Sequence, residues 1–240
     1  MTYAFGPGRW TPAVRAIILT NGVVFLATLV MPQLIVGLLG LSPQDVLTSG
    51  RIWEPATYLF VHSPRSFGHV LFNMLAVWMF GVELERRWGT VAFAKYYFVT
   101  GIGAGLTTVL VSLLPFAATA PVYYTTTVGA SGAVYGLLLA WALIFPHRQI
   151  LFMLIFPLPA RVFVLILGGI AFLSALGAGG GPVAHMTHLG GLVVGWIYLK
   201  GPKNLRLDLQ YHLTRWRMER MRRRFDVHRG GRDDWRDRIH

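Results

Sequence analysis

Long apolar tracts constrain the fold of this sequence more than any other feature. Six can be drawn, each close in length to the roughly 20 residues with which a helix crosses a bilayer core. Hydrophobic residues make up 54% of the 240 residues and charged residues only 13%, against roughly 25% charged in soluble domains. We therefore predict an all-α, polytopic membrane protein with six transmembrane helices. The tracts are residues 14–39, 69–87, 91–114, 129–145, 158–176 and 185–200.

Charge is concentrated outside these tracts. The net charge is +12, and from Lys203 to His240 there are 12 Lys and Arg against 6 Asp and Glu. A basic segment after a last span is typical of a cytoplasmic, membrane-apposed tail rather than of a nucleic-acid module. We therefore expect a cytoplasmic N-terminal segment 1–13, a six-span domain 14–200 and a basic cytoplasmic tail 201–240.

The distribution of Lys and Arg predicts the orientation of the spans. If the N-terminus lies in the cytoplasm, the outer segments hold only Arg51 and Arg65. The positive-inside rule then places both termini in the cytoplasm. Spans two, four and six consequently all enter the membrane from the outer side. The inner segments hold Arg9, Arg15, Arg86, Arg87, Lys95, Arg148, Arg161 and Lys200.

Three polar residues lie near the outer ends of these spans. His69, Ser131 and His188 each fall within the first few residues of a span, so a helical rise of about 1.5 Å per residue places them at similar shallow depths. Polar side chains in a membrane are costly and usually functional. Tyr135 lies four residues after Ser131 on the same helix face, where its ring can pack against an imidazole.

These residues favour nucleophilic catalysis. A serine hydroxyl needs a general base, and because no acidic residue falls at the depth of Ser131 inside a span, His188 serves alone in a Ser–His dyad. His69 and Asn73 are four residues apart on one face, and both can donate to an oxyanion, together with backbone N–H groups at the start of span four. Small residues beside Ser131 and His188 allow the two helices to approach closely.

Several features have simpler interpretations. The motif Gly129-Ala130-Ser131-Gly132, taken alone, is typical of helix packing in membranes. His185 and His188 have the spacing of metal ligands on a helix, but no cysteine or nearby carboxylate completes a site. We predict no metal and no cofactor. His62, in the outer segment 40–68, is interpreted as a hydrogen-bonding structural residue, and prolines at 157 and 159 predict a turn over 148–161.

Taken together, the motifs resemble the rhomboid family of intramembrane serine proteases in its six-span bacterial form. The matching pieces are His69-Val70-Leu71-Phe72-Asn73, Gly129-Ala130-Ser131-Gly132 with Tyr135, and His188 followed by Gly191 and Gly195. Glu85 with Trp88-Gly89 and the aromatic outer segment support the resemblance. The family often has Trp-Arg in the outer segment, whereas here Trp53 precedes Glu54 and Arg51 stands two residues before Trp53.

The resemblance implies a function. It makes Ser131 the nucleophile, His188 the general base, His69 and Asn73 the oxyanion donors, and Tyr135 the residue stacked on His188, with Gly129 in support. The expected activity is cleavage of transmembrane proteins within or near their spans, in a bacterial inner membrane. The expected partners are such substrates and the lipid bilayer, without nucleic acid; the oligomeric state stays open. A non-catalytic adaptor for transmembrane helices and a small-solute carrier are the alternatives.

Overall fold

A computed structural model describes residues 7–116, 119–152, 156–175 and 182–201, together with residues 218 and 220. The expected basic tail 201–240 therefore lies almost entirely outside the described residues. The helices, in chain order, are α1 Pro12–Val30, α2 Pro32–Leu39, α3 Pro43–Thr48, α4 Glu54–Thr57, α5 Phe67–Ala76, α6 Val82–Trp88, α7 Thr90–Ser112, α8 Ala120–Tyr124, α9 Ser131–Ile144, α10 Ala160–Ala175 and α11 Pro182–Lys200.

The first predicted span is wrong as a single helix. The structure divides residues 14–39 into α1 and α2, with Met31 between them in a non-helical conformation. Pro32 causes the break, because proline has no N–H to donate and its ring clashes with the preceding turn. Proline is tolerated in the first turn of the new helix, where an N–H would have no partner within the helix.

The second predicted span is a continuous helix of mixed geometry. α5 continues through a π-helical stretch, Val77–Gly81, directly into α6. This helix Phe67–Trp88 and helix α1 are long and apolar enough to cross a membrane. α9 and α10 are apolar but shorter. The prediction of six spanning helices is thus confirmed only in part, among the residues that the structure places.

A small antiparallel hairpin occupies the region predicted as a plain turn. Strand β1, Gln149–Phe152, pairs with β2, Phe156–Pro159, in a register that places Ile150 opposite Leu158. The all-α prediction is therefore wrong at this point. The prolines of β2 are compatible with a two-stranded ribbon, since alternate N–H groups of an edge strand make no ladder hydrogen bond.

One end of the long helix α5–α6 holds a fully hydrogen-bonded carboxylate. Glu85 is only 2% exposed. It accepts hydrogen bonds from the backbone N–H groups of Ala13 and Val14 at 2.9 Å each, and from the hydroxyls of Thr11 and Thr90. The two N–H groups lie in the first turn of α1, where backbone N–H groups have no acceptor within the helix. This Glu85 cluster therefore caps α1 and ties it to α6 and α7.

A second carboxylate anchors the hairpin region beside this end. Glu83 accepts a hydrogen bond from the indole N–H of Trp141 at 2.8 Å and pairs with Arg148. The Arg148 guanidinium also lies 4.8 Å from the ring centroid of Phe145, in cation–π geometry. The contacts join α6, α9 and the chain leading into β1.

Candidate active site

The chain that leads into Ser131 is held by the outer segment. Leu41 and Thr127 exchange two backbone hydrogen bonds, of 2.9 and 2.8 Å, and the N–H of Gly129 donates to the Tyr58 carbonyl at 3.0 Å. Tyr58 is itself fully buried, and its hydroxyl donates to the carbonyl of Gly101 on α7 at 2.7 Å. Burial raises the pKa of the Tyr58 hydroxyl, so Tyr58 stays a neutral donor. Ser131 then begins α9 from a fixed position.

Close packing of α11 on α9 brings the second residue of the predicted dyad into place. A Cβ atom added to Gly191 would lie 2.0 Å from the carbonyl oxygen of Gly132, so only glycine permits this approach. One turn earlier, the hydroxyls of Thr187 and Thr108 are 2.8 Å apart and buried, which joins α11 to α7. Glycine faces alone let two helices slide along each other, whereas a hydrogen bond between side chains fixes the register of one helix against the other.

The structure brings Ser131 and His188 into hydrogen-bonding contact. The distance from His188 Nε2 to Ser131 Oγ is 2.8 Å. The ring of Tyr135 stacks on the imidazole, with centroids 4.3 Å apart and planes inclined by 7°. His188 Nδ1 is buried, and no hydrogen-bond partner for it occurs among the described residues. The described contacts thus orient the imidazole by stacking and by Ser131.

His69 and Asn73 lie on the facing helix α5. The Asn73 amide nitrogen donates to the carbonyl of His69 at 2.7 Å, which leaves its second hydrogen for another acceptor. A Cβ atom on Gly129 would lie 2.7 Å from His69 Nε2, and Gly129 has a φ of +122°. Glycine is therefore required here on both conformational and steric grounds. The imidazole of His69 rests against the peptide that leads into Ser131.

We call Ser131, His188, Tyr135, His69 and Asn73 the Ser131 cluster. Sequence reasoning named all of its members and Gly129, but it missed the groups that hold them. One such contact is the threonine pair of α7 and α11, whose members are 79 positions apart in the sequence. Another is the backbone pairing of Leu41 with Thr127, which are 86 positions apart. No pattern among neighbouring residues predicts either contact. A buried threonine in a span is also a common helix-packing residue.

Two further histidines, His62 and His185, pack against members of the Ser131 cluster. His62 is fully buried. Among the residues that the structure places, neither ring nitrogen meets hydrogen-bond geometry, although the Phe60 backbone lies near the ring, so the hydrogen-bonding role of His62 stays a prediction. His185 packs against His188 with ring centroids 5.7 Å apart. Within the described part of the chain, no group of three or more His, Cys, Asp or Glu residues is arranged to hold a metal ion.

In the outer segment, where this sequence lacks the Trp-Arg pair of the family, Arg51 and Glu54 hold the neighbouring helices together. Buried Glu54 accepts a hydrogen bond from the N–H of Ser42 at 2.8 Å, and Arg51 donates to the carbonyl of Gly37 at 2.6 Å and contacts Glu54 at 3.4 Å. The indole of Trp53 donates to the carbonyl of Leu38. Burial raises the pKa of the Glu54 carboxyl, although the Ser42 N–H and Arg51 oppose the shift. Arg51 and Glu54 thus fasten the end of α2 to α3 and α4.

Comparisons with known proteins bear on this arrangement. A family model described as a Rhomboid domain matches residues 49–201. Rhomboid protein 1, mitochondrial, of Saccharomyces cerevisiae is 33% identical over 139 residues, which are 57% of this chain and 38% of that protein. Rhomboid protease GluP of Bacillus subtilis is 26% identical over 65% of this chain and 27% of its own length. Rhomboid protease GlpG of Haemophilus influenzae is 31% identical over 61% of this chain and 68% of its own length.

The chain spans less than half the length of the yeast and Bacillus proteins. Their names include a mitochondrial protein as well as bacterial ones, so the comparisons do not support the expected bacterial inner membrane.

Proposed function

This chain belongs to the rhomboid family, and from that premise we propose that it is an intramembrane serine endopeptidase with a Ser131–His188 dyad. Rhomboid proteins are embedded in membranes, and relatives of this chain are named rhomboid proteases. The single observation that carries the proposal is the 2.8 Å contact between His188 Nε2 and Ser131 Oγ. A nucleophile and a base within 2.6–3.2 Å of each other have the geometry of covalent catalysis.

The first step is attack by the Ser131 hydroxyl on a substrate carbonyl carbon. His188 Nε2 takes the hydroxyl proton as the C–O bond forms, and the carbonyl π electrons move to its oxygen. The base requires the neutral tautomer with hydrogen on Nδ1, and a buried imidazole favours the neutral form because burial penalises charge. The Tyr135 ring holds the imidazole plane during the transfer.

The negative oxygen of the tetrahedral intermediate needs donors. The candidates are the free amide hydrogen of Asn73, the imidazole of His69 and the first backbone N–H groups of α9. Two contacts support this choice: the Asn73 amide donates to the His69 carbonyl, and the His69 imidazole lies against Gly129. Helix N-termini carry unpaired N–H groups and a favourable dipole. We assign these groups to the oxyanion.

Breakdown of the intermediate completes the reaction. The imidazolium of His188 returns its proton to the leaving amine nitrogen as the C–N bond breaks, which leaves an acyl ester on Ser131. Water then attacks the ester carbonyl with His188 again as base, and the new carboxyl terminus leaves while the Ser131 hydroxyl is restored. Proton and electron counts balance without a cofactor.

The substrates we propose are transmembrane proteins. A helix hides its carbonyl groups in hydrogen bonds, so a spanning segment must unwind locally before Ser131 reaches one. The expected cleavage sites are segments with Gly, Ala or Pro near the outer boundary, since Gly and Pro have the lowest helix propensities and the side chain of Ala is small.

For the orientation, we propose that both termini lie in the cytoplasm or its equivalent compartment, as the Lys and Arg distribution predicts. Reporter fusions after Phe116 and after Gly201 should then report opposite sides of the membrane. Fusions that report the same side contradict the shared entry side of α5, α9 and α11.

A cleavage assay with purified protein tests the function. The protein is reconstituted with a fluorescent single-span substrate that carries Gly and Ala near its outer boundary, and product is quantified against time. We expect cleavage by the wild type, none by Ser131→Ala, and no effect of chelators. Cleavage by folded Ser131→Ala at the wild-type rate contradicts the proposal, and a folded wild type that binds but never cleaves such substrates favours the adaptor.

A further inference from the structure

The imidazole of His62 lies behind the Ser131 cluster in an unusual environment. The side chain is 0% exposed, and neither ring nitrogen meets hydrogen-bond geometry with any group in the described chain. Its ring packs against that of His69, with centroids 5.1 Å apart and planes inclined by 63°. His62 follows the short 3₁₀ turn Tyr58–Phe60 that also holds Gly129.

Burial of such a group works against stability. A buried polar atom without a partner loses its hydrogen bonds to water and gains none in return, and a phenylalanine ring would fill a similar volume without that cost. Burial, and after it the neighbouring His69, lowers the pKa of His62 to about 4, while the Phe60 backbone opposes the shift. His62 is therefore neutral at physiological pH. It brings a neutral, polar ring to the rear of His69 without adding positive charge.

The neighbours of His69 explain what such a ring can do. His69 Nε2 lies against Gly129, in space that a Cβ atom would fill at 2.7 Å. The His62 ring is a second neighbour, with its centroid 5.1 Å from that of His69. An imidazole in contact with both a backbone and a second ring has little freedom to rotate, and donors for an oxyanion act best when they need no reorganisation during the reaction.

We propose that His62 is a positioning residue for the reaction: it holds His69 against Gly129 in the orientation that donates to the oxyanion. The inference rests on the proposed function of the Ser131 cluster. His62 touches neither Ser131 nor His188 in the described contacts, so it acts through His69. The ring polarity of His62, and not only its volume, is part of the role, because the dipole of an unpaired buried group is poorly screened.

The test compares activity with stability in His62→Phe. We expect kcat to fall about tenfold or more, as for other small misplacements of catalytic groups, with KM little changed. The thermal midpoint in detergent should stay the same or rise, because the unpaired nitrogens are gone. A wild-type kcat in His62→Phe overturns the proposal. So does a fall in kcat that only follows a loss of folded protein.

Two further sets of variants sharpen the test. Asn reproduces the position of Nδ1 and Gln that of Nε2, so one of His62→Asn and His62→Gln should recover much of the lost kcat. In a His69→Ala background, His62→Phe should cause no further loss, since effects that act through one residue are not additive. Equal losses from all three His62 variants, or an undiminished effect of His62→Phe without His69, contradict the assignment.

A matched control is available at Tyr97. Its hydroxyl is also buried without a partner among the described residues, but its described ring contacts are with Phe93 and Phe98 and include no member of the Ser131 cluster. Tyr97→Phe should therefore preserve kcat, while its thermal midpoint stays the same or rises as in His62→Phe. If the wild type itself shows no Ser131-dependent cleavage, the proposed function fails together with this inference. Normal activity of His62→Phe beside an inactive Ser131→Ala refutes the inference alone.

Discussion

At one end of the helix α5–α6 the Glu85 carboxylate accepts four hydrogen bonds, whereas at the other end the groups around Ser131 keep several polar atoms unpaired. The unpaired atoms in the described chain include Asn73 Oδ1, Nδ1 of His188 and both nitrogens of His62. His69 and Glu85 are 16 residues apart on this helix, which is on the order of 25 Å. Glu85, Asn73 and His62 are all buried side chains, so exposure does not explain the contrast.

Buried polar groups have different roles at the two ends of this helix. A carboxylate whose lone pairs are all engaged contributes to stability, because its charge is compensated by fixed donors. Unpaired buried groups cost stability and are expected where a group must receive or donate during a reaction. Substitutions at the Ser131 end should thus alter the rate more than the stability, and substitutions at the Glu85 end should do the reverse.

The largest effect in this comparison is expected for Asn73→Ala. Loss of an oxyanion donor lowers kcat by about 10²–10³-fold, roughly 3–4 kcal/mol of transition-state stabilisation. Asn21 in α1 is a matched control, since it is also buried, donates to the carbonyl four residues earlier at 2.9 Å, and has an unpaired Oδ1. Asn21→Ala should leave kcat unchanged. Equal kcat in the two variants would mean that Asn73 serves only the helix.

A somewhat smaller loss is expected for Gly191→Ala. The new methyl group meets the Gly132 carbonyl, so α11 must move away from α9 and carry His188 with it. A displacement near 1 Å costs about 10²-fold in rate. Gly169→Ala in α10 is the control, because nothing lies within 4 Å of its Cβ position. The account fails here if Gly191→Ala retains both normal kcat and normal stability.

At the other end, Glu85→Gln should lower the free energy of unfolding by about 3 kcal/mol, since hydrogen bonds to a charged group are replaced and one donor loses its acceptor. The kcat of the folded fraction should remain near that of the wild type. Glu83→Gln is the milder comparison, because the side chain of its partner Arg148 is 53% exposed and exposed ion pairs contribute little. Chemical denaturation in mixed micelles measures both variants. A rate defect in Glu85→Gln without loss of stability would erase the distinction between the two ends.

The sequence was sufficient for parts of this picture. Hydrophobic tracts located the long helices to within a few residues, because a membrane allows few alternatives to a helix. The spacing of His69 from Asn73, and of Ser131 from Tyr135, identified side chains on common faces. The prediction failed at Pro32, where a single residue breaks an apolar tract that hydropathy treats as continuous. It failed again at the β1–β2 hairpin, where prolines predicted only a turn.

Other features had no local signal to find. The Thr108–Thr187 pair and the Leu41–Thr127 pairing depend on how distant segments meet, which spacing along one helix does not encode. The environment of His62 could not be predicted either, because its burial and its contact with His69 arise from packing of the outer segment. Glu85 itself was indicated only by the resemblance to a family, and the groups that donate to its carboxylate could not be predicted from spacing along the chain.

The central claim is that Ser131 and His188 act as one catalytic unit, and the rate of Ser131 modification by a fluorophosphonate probe tests it most directly. Purified wild type should be labelled at Ser131, as located by peptide mapping, and His188→Ala should slow labelling by about 10³-fold or more, since members of one unit fail together. His147→Ala, in the turn after α9, should be labelled at the wild-type rate. Labelling of folded His188→Ala at the wild-type rate, or modification at a residue other than Ser131, would contradict the account.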